Sequence, residues 1–278
     1  MTDWANKDDV IKSVREDGYN LANASNELKS DREIVLEAVT CNGYALIHAS
    51  KELRADREIV LEAVKSNGLA LEFASKELRG DREVVLTAVT ESSVFVLQFA
   101  SEKLRGDRQF VLEMVKIAGS AHPVFDQSAL EYASEELRND RQVVLEAVKS
   151  VGSGLAYASE KLRGDRQVVL EAVKSNGLAL QFVSGEFKED REVVLDAVKS
   201  NRLALKFASR RLQIDGIMRL ASGEENVSDE DLFLSAYNEI EEKEFDKEIF
   251  GKSLAQADGN IEEAKNLYIK LRVENLRK

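Results

Sequence analysis

The sequence contains few of the residue types that build covalent, metal or catalytic sites. It has one cysteine, one proline and two histidines in 278 residues. The single cysteine, Cys41, cannot form an internal disulfide. Two histidines and one cysteine provide no cluster with metal-ligand spacing and no nucleophile paired with a base. We therefore expect no disulfide, no metal, no cofactor and no enzymatic activity.

Long apolar runs are also missing. No stretch approaches the roughly 20 residues that a membrane-spanning helix needs. The N-terminal residues 1–7 have no basic segment leading into an apolar one, as a cleaved signal peptide does. We therefore expect no membrane partner. The expected location is the cytoplasm, or a host cell that the protein reaches without a cleaved signal peptide.

The sequence has no excess of positive charge. Its formal net charge is −12, and residues 215–278 carry 16 acidic and 9 basic side chains, so the C-terminal tail is the more acidic part. A negative protein repels phosphate backbones unless a local basic stripe overrides the repulsion. Along the sequence no Lys/Arg cluster is interleaved with aromatic residues. Nucleic acid is therefore not an expected partner.

A repeat dominates the rest of the sequence. The dipeptide Asp-Arg recurs with a period of 25 residues, lengthened to 26 and 33 in the middle of the chain. It occurs at Asp31, Asp56, Asp81, Asp107, Asp140, Asp165 and Asp190. With a degraded copy at the N-terminus, eight units begin near residues 6, 31, 56, 81, 107, 140, 165 and 190. We predict a repeat array over residues 1–214 and a separate helical tail over residues 215–278.

Each unit has the pattern of two short helices. In the unit that begins at Asp56, the aspartate is a helix N-cap and Asn67-Gly68 is a stop signal in the left-handed conformation. A second apolar stripe over residues 69–74 predicts a second helix, followed by a tight turn. So short a unit cannot bury its apolar face alone and must stack on its neighbours. The prediction is an all-α protein, an α-solenoid of eight two-helix repeats with a short C-terminal helical tail.

The repeated string resembles a known family. Residues 56–75 and 165–184 share the pattern D-R-x-x-V-L-E-A-V-K-S-N-G-L-A-L-x-F-x-S, which is similar to the tandem helical repeats of domain of unknown function 4116. The resemblance covers most of residues 6–214 and implies a helical fold without catalytic residues. Such repeats occur in some proteins of intracellular bacteria that act on host cells, which implies an effector-like interaction module. Residues 231–277 resemble a helical segment on diverse bacterial proteins, which implies a bacterial origin.

The tail contains its own helix signals. Helix starts are predicted at residues 228–231, at Asp246 and at Asn260, with Asp258-Gly259 as a stop before the last. These signals predict three short helices. Because the terminal elements of repeat arrays cover the exposed end of the stack, we expect the tail to cap the array.

The arginine of each Asp-Arg dipeptide is the first candidate for a site. The seven equivalent positions are Arg32, Arg57, Arg82, Arg108, Arg141, Arg166 and Arg191. A ladder of arginines could bind phosphates or an acidic peptide. Every one of them follows an aspartate, however, so we favour pairing of each arginine with a carboxylate of the adjacent unit. The ladder is then a structural contact between repeats.

A second equivalent position carries aromatic residues in the later units. These are Phe73, Phe99, Tyr132, Tyr157, Phe182 and Phe207, with Asn23 and His48 in the first two units. An aromatic residue inside an apolar helical stripe usually belongs to the core, so we predict core positions rather than a stacking platform. His48 is then a partly exposed residue near one end of the array.

The fifth unit contains an insertion, residues 118–127. It carries His122, Pro123 and Phe125, which are a histidine, the single proline and an aromatic residue. Insertions in repeat arrays map to surface loops and often to the binding face, so these three are the candidate partner-binding residues. The alternative is a tolerated insertion, because loop entropy grows slowly with length.

We expect a non-catalytic, monomeric scaffold that binds a protein or peptide partner on its repeat surface. The expectation depends on the architecture rather than on a recognised site. One alternative is an effector-like enzyme that uses carboxylates in the groove of the array. Binding of nucleic acid is a third possibility, and a strongly salt-dependent interaction with DNA or RNA would be its signature.

Overall fold

Helices make up most of the part of the chain that the structure describes. The computed structural model describes residues 2–121, 128–213, 215, 219, 229–241, 243 and 245–276, and these residues form no strand. The all-α repeat fold predicted from the sequence is thereby confirmed. By their contacts the residues form two compact units, Met1–Ser159 and Glu160–Lys278.

Each repeat begins with an α-helix, and we number these helices by repeat. They are α1 Lys7–Glu16, α2 Arg32–Cys41, α3 Arg57–Ser66, α4 Arg82–Glu91, α5 Arg108–Ala121, α6 Arg141–Ser150, α7 Arg166–Ser175 and α8 Arg191–Ser200. The aspartate before the helix is its cap: the Asp56 carboxylate accepts hydrogen bonds from the backbone N–H groups of Glu58 (3.0 Å) and Ile59 (3.2 Å). These bonds satisfy amides that have no partner inside the helix.

The second segment of each repeat is a 3₁₀-helix rather than an α-helix. These segments span Gly18–Asn23, Gly43–His48, Gly68–Phe73, Val94–Phe99, Ala129–Glu131, Gly152–Tyr157, Gly177–Gln181 and Arg202–Phe207. The predicted left-handed stop at Asn67-Gly68 is wrong. Asn67 is extended, with φ −157°, and its side chain caps the 3₁₀-helix by accepting from Leu69 N–H at 3.0 Å. The asparagine therefore starts the second segment.

Glycine follows this asparagine because the next repeat approaches closely. A Cβ atom on Gly68 would lie 2.2 Å from the backbone oxygen of Ala88 in α4. The same position in Gly18, Gly43 and Gly177 would meet the oxygen of the next repeat's alanine at 2.1–2.2 Å. These glycines permit the close stacking of successive repeats.

A short third segment ends each repeat. It is a 3₁₀ or α turn at Leu28–Ser30, Leu53–Ala55, Leu78–Gly80, Glu102–Arg105, Glu135–Arg138, Glu160–Arg163, Gly185–Lys188 and Arg210–Gln213. The serine before it links two repeats, because the Ser75 N–H donates to the backbone oxygen of Arg54 at 2.8 Å. Ser101 donates to Arg79 in the same way at 2.8 Å. These bonds form a backbone ladder along the stack.

The core lies between the α-helices and the 3₁₀-helices. The apolar pairs at the start of α2 to α8, such as Ile59 and Val60, are buried. The leucine of each complete 3₁₀ segment in unit 1, such as Leu71 and Leu155, is buried as well. Burial of adjacent positions shows that each α-helix is covered on more than one side. Stacking of repeats supplies that cover.

Among the described residues of the tail, in the second unit, there are three long helices. They are α9 Asp229–Glu241, α10 Lys247–Gln256 and α11 Ile261–Leu276. Asp246 caps α10, and the chain passes through left-handed backbone at Asp258 (φ 47°) and Gly259 (φ 81°) before α11. Tyr268 is fully buried against Ala236 and Ile249. The three helices predicted for the tail are present.

Part of the insertion is helical. Residues 118–121 extend α5 by one turn, and a Cβ atom on Gly119 would lie 2.0 Å from the hydroxyl oxygen of Ser150 in α6. The insertion thus begins as a packed helix and not as a loop. The boundary at residue 214 between array and tail stays a prediction, because residues 214 and 216–218 lie outside the described residues.

Candidate functional site

Within each of the two units, arginines of the Asp-Arg dipeptides contact carboxylates of the following repeat. The Arg57 guanidinium donates to Asp81 at 3.0 Å and to Glu83 at 2.5 Å. Arg32 makes the same pair of contacts with Asp56 and Glu58. In the second unit, Arg166 contacts Asp190 and Glu192. Lys7 replaces the arginine in the first repeat and contacts Asp31 and Glu33.

The ladder changes in the middle of the first unit. In repeat 5 the position of the second carboxylate is Gln109, and Arg82 instead donates to Glu113 at 2.6 Å and lies 5.2 Å from the ring centre of Phe110. Arg108 donates to Asp140 at 2.9 Å and to Gln142 at 2.8 Å.

Arg141 begins α6 directly after its capping aspartate, Asp140.

The last arginine of the ladder is buried against the tail. Arg191 is 7 % exposed and donates to both oxygens of Asp215, at 2.9 and 3.1 Å. Asp215 follows Asp190 by 25 residues, so it continues the period one step beyond the predicted end of the array. Glu239 of α9 accepts from Arg191 Nε at 3.0 Å and takes the place of the second carboxylate.

Glu239 is the centre of a buried polar network. It is 1 % exposed and also accepts from the Tyr268 hydroxyl and from Arg272, at 3.1 Å to the latter. Burial raises the pKa of Tyr268, and the charge of Glu239 acts in the same direction. Two arginines thus balance two carboxylates, as a buried ion cluster requires. This arrangement attaches α9 and α11 to α8.

A second row of basic side chains was not recognised in the sequence. It occupies the third segment of the first seven repeats, where the dipeptide is Leu-Arg in repeats 2 to 6 and ends in lysine in repeats 1 and 7. In the first unit its members are Lys29, Arg54, Arg79, Arg105 and Arg138, and in the second unit Arg163 and Lys188. We call the arginines of this row the Leu-Arg ladder.

The Leu-Arg ladder differs from the first ladder in its contacts. All five of its arginines are half-buried. Their Nε atoms are buried without a hydrogen-bond partner, and among the described residues no carboxylate forms an ion pair with them. A buried donor without a partner costs about 1–3 kcal/mol. The hydrogen-bonding capacity of these guanidinium groups is therefore not used by the fold.

Aromatic side chains of the following repeat lie beside these arginines. A cleft of about 460 Å³ is lined by Arg79 and by Phe99 of the next repeat. A cleft of about 570 Å³ is lined by Arg105 and by Tyr132. Both clefts are lined by Glu102 and Arg105, so they adjoin one another across repeats 3 to 5. We call this the arginine groove; its side chains include Lys76, Arg79, Gln98, Phe99, Glu102, Arg105, Tyr132, Ser134, Glu136 and Arg138.

The groove is locally positive in a negative protein. Four basic and two acidic side chains line it, whereas the whole chain has a net charge of −12. Hydrogen bonds from its own backbone N–H and from Ser134 lower the pKa of Glu136, so it is a carboxylate at neutral pH. Burial raises the pKa of Tyr132 to about 12, and the charge of Glu131 and a hydrogen bond to it act in the same direction, so the hydroxyl keeps its proton.

One expectation about this surface is wrong. The aromatic residues predicted for the core are half-buried, as at Phe73, Phe99 and Tyr132, and the equivalent Asn23 of the first repeat is exposed. Basic and aromatic residues that are separated along the sequence lie together in the structure, because stacking brings Arg79 beside Phe99, 20 residues away. The recurrence of Leu-Arg with the same period as Asp-Arg was the signal that could have identified the row.

In the second repeat, the position that carries aromatic residues in the later repeats is occupied by His48. Its ring packs edge-on against Tyr19 at 4.8 Å. Burial lowers the pKa of His48, and the charge of Lys29 contributes to the same effect. His48 is therefore a neutral, half-buried member of the aromatic row, and a basic side chain of the preceding repeat lies near it.

The candidates in the insertion lie outside the described residues. These are His122, Pro123 and Phe125, and their role stays a prediction. Within the described part of the chain, no group of three or more His, Cys, Asp or Glu side chains could hold a metal ion. None of the helices described there is long and apolar enough to cross a membrane.

The repeats match one family model. The model of the domain of unknown function (DUF4116) matches residues 6–54, 56–93, 124–163 and 165–213, which together exceed half of the chain. No curated protein and no solved structure gives a significant match. The matched segments contain the arginines of both ladders except Arg105 and Arg108, which lie between residues 93 and 124. The chain belongs to the DUF4116 family.

Proposed function

We propose that the protein is a non-catalytic scaffold that binds a protein or peptide partner in the arginine groove. The observation that carries the proposal is the contrast between the two ladders. Arg57 and its equivalents are hydrogen-bonded to neighbouring carboxylates, whereas the arginines of the groove are not. The Nε atoms are buried, so a partner that supplies acceptors would bind the terminal N–H groups of these half-buried side chains.

The composition of the groove also supports binding of a protein. Arginine and tyrosine are enriched among the residues that contribute most to protein interfaces, and Arg105 lies in one cleft with Tyr132. The groove repeats the same elements in successive repeats, so an extended segment could contact several of them at once. Because these contacts belong to one ligand chain, the first contact raises the effective concentration for the next, and several weak contacts together give tighter binding.

The biological setting is part of the same proposal. We infer a monomer that acts in the cytoplasm or, as an effector-like bacterial protein, in a host cell. The resemblance of its repeats to those of host-acting bacterial proteins supports this setting. The insertion remains a second candidate for the determinant of specificity.

Affinity capture from the native cellular environment, followed by binding of the purified partner, tests the proposal. The comparison includes the intact protein, the double variant Arg79→Gln/Arg105→Gln and a deletion of residues 122–127. The deletion begins after α5, so that the packed helical turn stays intact. The control variant is Lys12→Gln/Lys116→Gln, which removes two exposed charges that do not line the groove.

Each result has a defined meaning. Loss of the purified partner with the groove variant, and retention with the control, would support the groove as the docking site. Loss only with the deletion would move the site to the insertion. A partner that binds all variants equally, or turnover of a substrate by the captured complex, would contradict the proposal. Melting curves of all variants exclude unfolding as the cause.

A further inference from the structure

We propose that the arginine groove recognises an extended acidic segment that presents one carboxylate to each repeat, at every third residue. The inference rests on the proposed function, because it specifies the chemistry of the partner at the same site. It is carried by Arg79, Arg105 and Arg138, which have no carboxylate partner among the described residues, by the regular linkage of their backbones, and by the acidic residues between them.

The backbone ladder fixes one arginine per repeat. The backbone oxygen of Arg79 accepts from Ser101, that of Arg105 from Ser134 at 2.9 Å, and that of Arg138 from Ser159 at 3.0 Å. Packed helices lie roughly 8–10 Å apart, so we take this as the spacing of the arginines. A ligand that pairs with each of them must present its charges with the same period.

A peptide in the polyproline II conformation meets this requirement. It rises about 3.1 Å per residue with three residues per turn, so its residues i, i+3 and i+6 point in one direction about 9 Å apart. In a β-strand, neighbouring residues alternate between two faces, and positions i and i+3 would point in opposite directions. The spacing of the repeats therefore favours the polyproline II form.

The acidic residues of the groove favour separate carboxylates over a phosphate backbone. Glu102 and Glu136 line the same clefts as the arginines. A nucleic acid strand carries a phosphate for every 3.4 Å of duplex length, which would place phosphates against both glutamates. A peptide with neutral residues between its acids avoids this repulsion. A carboxylate also accepts two hydrogen bonds from the planar guanidinium group.

The aromatic residues complete the recognition of such a peptide. Polyproline II segments bind in aromatic-lined grooves, and their backbone carbonyl groups have no internal hydrogen bonds. Phe99 and Tyr132 are half-buried beside Arg79 and Arg105. The rings of Phe99 and Tyr132 can contact the neutral residues between the acids.

Fluorescence anisotropy with synthetic peptides tests the inference on the full-length protein. The first peptide has about twelve residues with glutamate at every third position, a length that spans about four repeats at this rise. The second has the same composition, with its glutamates in one block. The third has glutamine in place of each glutamate, and a single-stranded RNA of similar length is the fourth probe.

We expect the spaced peptide to bind at least about tenfold more tightly than the block peptide, a difference of 1.4 kcal/mol. Arg105→Gln should weaken its binding by a similar factor, whereas Lys116→Gln should not. Equal binding of the spaced and block peptides would overturn the inference, because charge alone would then explain it. Tighter binding of the RNA, with a steep dependence on salt, would overturn it in favour of nucleic acid.

The two proposals fail in different ways. If a captured partner requires Arg79 and Arg105 but none of the peptides binds, the scaffold function stands and the acidic segment is wrong. If no partner and no peptide depends on these arginines, both proposals are wrong. The comparison between peptides uses the unaltered protein, so it decides the question even if a variant does not fold.

Discussion

Substitution of Gly68 by alanine should destabilise the stack of repeats. The new Cβ atom would lie 2.2 Å from the backbone oxygen of Ala88. It would also lie 3.0 Å or less from the hydroxyl oxygen and the Cβ atom of Ser92. Cβ atoms in real structures do not approach other atoms so closely. The oxygen belongs to α4, so it cannot rotate away as a side chain would. Repeats 3 and 4 would have to separate by about 1 Å to restore a van der Waals distance, and a separation of that size forfeits part of the dispersion energy of the contact.

Overpacking of this kind costs about 1–3 kcal/mol. The rigid backbone partner places the expected value in the upper part of that range. Alanine also restricts the unfolded chain, which returns about 0.4–1 kcal/mol. We therefore expect a net loss of about 1–2 kcal/mol, or about 2–8 °C in melting temperature for a domain of roughly 150–250 residues.

Urea and thermal unfolding followed by circular dichroism measure this loss. The matched control is Gly106→Ala, because a Cβ atom there would meet its nearest neighbour, the oxygen of Glu102, at an ordinary 3.4 Å. We expect the control to unfold at the midpoint of the unaltered protein or above it. An unchanged midpoint for Gly68→Ala would refute the explanation of this glycine by close stacking.

Three further predictions concern burial and charge. Leu155→Asp places a carboxylate at a fully buried position and should abolish cooperative melting of the first unit, measured by calorimetry. Arg191→Met leaves the buried Glu239 without one of its cations and should cost about 3–5 kcal/mol, measured by urea unfolding. Partial burial raises the pKa of Asp56, but hydrogen bonds from Arg32 and backbone amides outweigh it, so the pKa is lowered. The stabilisation of the folded state by the Asp56 carboxylate is thus present above about pH 4 and lost below it. Asp56→Asn should therefore reduce the decrease in the free energy of unfolding at acid pH.

Signals that act within a repeat could be read from the sequence. Asp56 caps α3 as its position before an apolar helical stripe predicted, and Asp246 caps α10 in the same way. Both effects depend on residues two or three positions away. The period of 25 then predicted stacking, because no single repeat can bury its own apolar face.

Features that depend on the next repeat could not be read in this way. Gly68 looked like a helix stop because its local sequence fits one, whereas its contact with Ala88 lies 20 residues away. The groove was missed for the same reason, since Arg79 and Phe99 belong to different repeats. A repeat fold places equivalent residues side by side, so contacts one period apart must be considered together.

The central claim is that the two arginine ladders have different roles, and one comparison tests it directly. Arg57→Gln removes contacts with Asp81 and Glu83, whereas Arg79→Gln removes a guanidinium group of the groove. Unfolding and partner binding are measured for both variants. We predict that Arg57→Gln lowers the unfolding midpoint and leaves partner binding unchanged. Arg79→Gln should weaken partner binding and leave the unfolding midpoint unchanged. Equal loss of binding in the two variants would contradict the account.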